Sequence, residues 1–218
     1  MRAFNLTASI LLVAALFVSG CRIDDKKSGN GDDVKIATPF GGMSVKTDDA
    51  SVAQSTGIPL YPGATPEVKK DKDGHDSGSA DINMSFGSFQ LRVKAASFRS
   101  TDPPEKVLAF YKKGLARFGP VIQCKDHHPV GSPTHTPEDL DCSDDDRHSN
   151  GVNVDDDVTG KTELKAGSKQ HQHIVGIDAD GTGTKIGLVA LDLPGHFSLG
   201  DKDKGGKDDD SDKDDGKQ

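Results

Sequence analysis

One amphipathic segment, residues 103–118, constrains the fold more than any other part of the chain. Leu108, Tyr111, Leu115 and Phe118 recur at helical spacing and form one apolar face. Asp102 is placed to cap this segment, Pro103 suits a first turn, and Glu105 adds favourable charge near the amino end of the helix dipole. Lys112, Lys113 and Arg117 complement the other end, and Gly119-Pro120 stops it. A helix with one apolar stripe must bury that stripe against something, so its neighbours decide the fold class.

Those neighbours read as strands. Phe89, Leu91, Val93 and Ala95 alternate with Gln90, Arg92 and Lys94, the period of a strand with one buried face. Residues 81–86, the Gly87-Ser88 turn and that strand predict a hairpin. Residues 170–177 and 185–193, around a turn at 178–183, predict a second. Its run IGLVALDL, residues 186–193, is the most apolar stretch beyond residue 21 and predicts a central strand. Residues 121–124 predict a short strand straight after the helix. Residues 34–36 and 43–45 predict an edge hairpin about a turn at 39–42, and residues 48–56 a short helix stopped by Gly57. The expected class is α+β: a mainly antiparallel sheet with one principal helix, about 103–118, packed on one face.

Composition says where the fold ends. Hydrophobic residues make up only 33% of the chain and tryptophan is absent, so the core must be concentrated in part of it. Residues 201–218 (DKDKGGKDDDSDKDDGKQ) contain no apolar side chain and cannot offset the entropy of ordering, which predicts a disordered acidic tail over 200–218. Residues 23–33 (IDDKKSGNGDD) predict a polar tether. A single domain is left at 34–199, with a polar loop over 125–168. The net charge of −8 and the lack of clustered Lys and Arg exclude nucleic acid as a partner.

At the amino end, Arg2 precedes an almost unbroken apolar run at residues 8–18 (ASILLVAALFV), the layout of a secretory signal. The run is shorter than the roughly 20 residues a membrane-spanning helix needs. Val18-Ser19-Gly20-Cys21 resembles the lipobox of bacterial lipoproteins: a branched apolar residue, two small residues, then cysteine. The resemblance covers residues 1–21. It implies that residues 1–20 are a signal peptide cut off before Cys21, and that Cys21 carries diacylglycerol on its thiol and an acyl chain on its amine. Several chains hold a protein on a membrane where one does not. Arg22, where an inner-membrane lipoprotein often has aspartate, implies the outer membrane, facing the periplasm of a two-membrane host.

Farther on, Ile58-Pro59-Leu60-Tyr61-Pro62-Gly63-Ala64 resembles a loose group of uncharacterised exported bacterial proteins. In them a Tyr-Pro-Gly-Ala turn leads through strands to a helix that here reads Thr101-Asp102-Pro103-Pro104-Glu105-Lys106-Val107, then Phe110-Tyr111 and Leu115. The likeness spans 58–120; it implies a fold and no activity. Tyr61 reads as a packing residue, with a ligand clamp as the other reading.

With Cys21 assigned to lipid, Cys124 and Cys142 remain as an even pair in an oxidising compartment, which predicts a disulfide. It would close the loop KDHHPVGSPTHTPEDLD at 125–141. Thiolate metal ligands and a reactive thiol are the alternatives, and no Cys-x-x-Cys spacing supports a redox enzyme. His127, His128 and His135 lie in that loop, and His148 and two Asp triplets follow. His171 and His173, two apart on a strand, share a face about 7 Å apart. His127, His128, His171 and His173 are therefore the candidate ligands for a divalent metal such as zinc, copper or nickel. No metalloprotease, P-loop, serine-elbow or dinucleotide signature is present, and no cofactor is expected. The leading expectation is a non-enzymatic, membrane-anchored domain that binds a protein partner or supports the envelope. The alternatives are a metal-binding or metal-buffering lipoprotein using the His/Asp-rich loop, and an envelope hydrolase with an unrecognised site.

Overall fold

Alternation in the sequence becomes one long antiparallel sheet. The structure, a computed structural model, describes residues 21–28, 31–67, 69–70, 76–143 and 162–194. The expected signal peptide and acidic tail lie outside these residues. The strands are β1 (Arg22–Ser28), β2 (Gly31–Thr38), β3 (Gly41–Lys46), β4 (Thr65–Pro66), β5 (Lys69–Lys70), β6 (Asp76–Ser77), β7 (Ser79–Phe86), β8 (Phe89–Ser100), β9 (Ile122–Lys125), β10 (His128–Pro129), β11 (Thr162–Gly167), β12 (His171–Asp180) and β13 (Gly183–Asp192). The main sheet runs β1-β2-β3-β7-β8-β13-β12-β11-β9-β10, and β4 prolongs the β7 edge of β8. β5 and β6 form a separate short ribbon. The three predicted hairpins are present, and β13, carrying IGLVALDL, lies at the centre between β8 and β12.

Two helices cover one face. α1 (Asp49–Ser55) is capped by Asp48, whose carboxylate accepts the Ser51 N–H at 2.8 Å. α2 (Pro104–Leu115) runs into a short 3₁₀ turn, Ala116–Phe118. Val107, Tyr111 and Leu115 of α2 are fully buried against Leu164, Ala166, Val175, Ile177, Ile186 and Leu188. Val52 and Ala53 of α1 extend the same core over Ala96 and Phe98. This is the α+β arrangement the sequence predicts, a mostly antiparallel sheet with helices on one face.

Three readings need correction. Asp102 does not cap α2; Pro103 holds the cap position without a side-chain bond. The Asp102 carboxylate instead accepts the Tyr61 hydroxyl at 2.6 Å and the Lys106 ammonium at 2.9 Å. The polar stretch read as a tether is not one: residues 22–28 pair with β2 over their whole length, so the 34–45 hairpin is not the sheet edge. The register explains it, because Asp24 stands opposite Lys35 and Lys26 opposite Asp33, while Ile23 meets Ile36. Lastly, the polar loop at 125–168 contains β10 and the inner strand β11.

Candidate functional site

The sheet ends in a hairpin whose tip carries two histidines. Asp126 and His127 both adopt positive φ, 46° and 63°, between the paired residues Lys125 and His128. That is the backbone of a two-residue turn matched to the strand twist. From there the chain returns across β9. Cys142 bonds to Cys124 with Cα atoms 5.6 Å apart, so the predicted disulfide is present. Leu140 is fully buried with Ile122 and both cysteines. A tight turn holds it there: Thr136 N–H donates to the Leu140 carbonyl at 2.9 Å, and Leu140 N–H donates to Thr136 Oγ1 at 3.2 Å.

This braced loop encloses an open groove of about 530 Å³, lined by His127, His128, His135, Asp139, Asp141 and Lys169, among others. Asp141 is its best-held charge. Burial opposes its ionisation, but the Ser143 N–H and hydroxyl each donate to it at 2.7 Å, with Lys169 and Lys165 nearby. The balance holds its carboxyl below the usual range. Among the described residues no group of three His, Cys, Asp or Glu is arranged to hold a metal ion.

The other two candidate histidines lie elsewhere. His171 and His173 share a strand face as expected, on the side of Val175 and Ile177 under the helices. His171 Nδ1 meets the Asp192 carboxylate at 2.9 Å. His173 stacks on Phe118, centroids 3.6 Å apart and planes 10° apart. Burial pushes the His173 imidazole below its ordinary value; Asp192 pulls the other way, and Arg117 and Lys94 add to the lowering. The folded state therefore resists a proton that the unfolded chain accepts. Stability is expected to fall as pH drops through the ordinary imidazole value, about 6.5, and down to the lowered one. His173→Phe keeps a stacked ring and should remove that part of the slope. Thermal melts at about pH 7.5 and 5.5 check it; equal slopes in parent and variant would refute it.

Beneath the groove lies a pair the sequence reading passed over. Glu163 and Lys165 of β11 are buried, with Lys165 Nζ 3.4 Å from Glu163 Oε2. Cys124 is paired with Glu163 and Ile122 with Lys165, so the disulfide loop roofs them. Two charges two apart on one strand were the only sequence signal. Tyr61 is a packing residue: it is buried, edge-on to Phe110 at 5.1 Å, and its N–H donates to the Tyr111 hydroxyl at 3.2 Å. No family model, curated protein or solved structure matches the chain.

Proposed function

We propose that this chain is a bacterial lipoprotein, held on the periplasmic side of the outer membrane through Cys21, whose domain binds a protein partner without catalysis. The observation that carries the reading is Val18-Ser19-Gly20-Cys21 directly after the apolar run at 8–18. The disulfide suits an oxidising compartment. The braced groove offers the partner three imidazoles, two carboxylates and an ammonium on a loop that needs little further ordering. Metabolic labelling with palmitate tests the anchor. The parent should take up label, and Cys21→Ala should lose it and accumulate as an uncleaved precursor. Label persisting in Cys21→Ala would defeat the proposal. Cross-linking in intact cells tests the partner, with loss of a specific adduct expected in His135→Ala/Asp139→Ala.

A second reading, metal buffering, rests on the same groove gathering His127, His128 and His135 beside Asp139 and Asp141. It requires the loop to close on the ion. Elemental analysis of parent and His127→Ala/His128→Ala protein decides it, since equal metal content would remove it.

A further inference from the structure

The half of the sheet from β1 to β8 is two-faced in a regular way. On the helix side, Lys26, Asp33, Lys46, Asp81 and Lys94 follow one another across five strands, alternating in sign. On the other side the neighbouring register line reads Ile23, Ile36, Met43, Met84 and Leu91. The next parallel line reads Val34, Val45, Ile82 and Val93, with Asp25 at its β1 end. Toward β13 this apolar surface merges with buried Val189, Leu191 and Ile174, but over β1, β2 and β3 it stays half-buried or exposed. Both described helices pack on the opposite face.

The exposed apolar side chains gather at one end of this surface. Among the described residues the large exposed hydrophobics are Ile23, Ile36, Phe40, Phe86 and Phe89, with Leu60 and Val130 elsewhere. Phe40, at 85% exposure, is the most open of them. Phe40 occupies the β2–β3 turn, and Phe86 and Phe89 flank the β7–β8 turn. The Gly87 N–H donates to the Phe40 carbonyl at 3.2 Å, which ties the two turns together. Arg22 pairs with Ala37, so Cys21, the residue before it, stands at this same end and is exposed. No linker separates the acylation point from the sheet.

We propose that this apolar face and its phenylalanine tip lie on the phospholipid bilayer, seated in the acyl–headgroup boundary beside the lipid on Cys21. The inference rests on the lipoprotein reading. A contiguous apolar patch on a soluble domain marks an interaction surface, and an anchor placed at its edge with no tether selects the bilayer as occupant. The lipid and the sheet then act as two attachment signals in one plane, and the charged face and the helices turn toward the periplasm, while the braced groove lies at the far, β9–β10 end of the sheet.

The lack of tryptophan makes the test direct. Full-length processed protein carrying Ile36→Trp or Phe40→Trp is reconstituted in phosphatidylethanolamine–phosphatidylglycerol vesicles, with Ser44→Trp, on the charged face, as reference. Lipids brominated along the acyl chain should remove most of the emission at 36 and 40 and leave that at 44, which iodide in the water should quench. The mass of the amino-terminal peptide reports acylation in the same samples. Unmodified Cys21 overturns the lipoprotein reading and this one with it. Acylated Cys21 with all three indoles quenched by iodide overturns the bilayer contact alone. Indoles at 36 and 40 shielded from both quenchers in a dimeric protein overturn it in favour of a second copy.

Discussion

Lys165→Ala is expected to destabilise the domain by about 3–5 kcal/mol, because it removes the ammonium 3.4 Å from a carboxylate buried in the interior. Both side chains are essentially inaccessible, at 0% for Lys165 and 4% for Glu163, and both lie beneath the disulfide loop next to Ile122 and Cys124. Water cannot reach the carboxylate without opening that loop, so the lost attraction is not replaced by hydration. The double variant Glu163→Gln/Lys165→Met removes both charges at similar volume and should recover most of the loss. Urea unfolding gives the comparison, with midpoints shifted at constant slope. A Lys165→Ala cost within about 1 kcal/mol, typical of surface substitutions, would mean that the pair is hydrated.

That same pair shows why the sequence was legible in one half of the domain and not in the other. Where a strand has one apolar and one polar side, alternation reveals it, as in Phe89–Ala95. In α2, spacing exposed Tyr111 and Leu115, while Val107, four residues before Tyr111, is buried with them and Leu108 and Phe118 are only partly buried. Thr162–Gly167 (TELKAG) defeats that logic: Leu164 and Ala166 face the helices while Glu163 and Lys165 face the loop, and all four are buried. A strand that buries ions on its second side looks polar throughout. Residues 22–28 failed for a related reason. Their stability as a strand comes from partners in β2, opposite charge facing opposite charge, which composition of the segment alone does not show. In the groove, sequence singled out His127, His128 and His135 but could not place them with Lys169, which arrives from the β11–β12 turn. That turn depends on Gly167 at φ 107°, where an added Cβ would collide with the His171 carbonyl oxygen.

Cys124→Ala/Cys142→Ala is expected to cost about 2–5 kcal/mol, with chain entropy supplying roughly 3 kcal/mol of it for a loop of this length. The closed segment spans 18 residues of sequence separation. Its own contacts are few: Leu140 is its buried anchor in the local cluster, and three of its residues, Asp126, His127 and Asp139, hold positive φ without being glycine. Once the cross-link is gone, the unfolded chain regains the freedom of that loop, and the native loop keeps the Leu140 plug, the Thr136 turn and the short β9–β10 pairing to hold it over Glu163 and Lys165. The damage should therefore be uneven. Amide exchange across 126–143 should accelerate by more than the global loss of stability explains, whereas amides of α2, held by Val107, Tyr111 and Leu115 in the other core, should accelerate only by the global amount. Reduction of the parent with dithiothreitol should reproduce the pattern. Uniform acceleration in both regions would show that the loop and the helical core unfold as one unit, and the groove would then owe its shape to the whole sheet rather than to its brace. The predicted asymmetry matters for function, because a partner that binds the groove would lose affinity on reduction while the helical face stays folded.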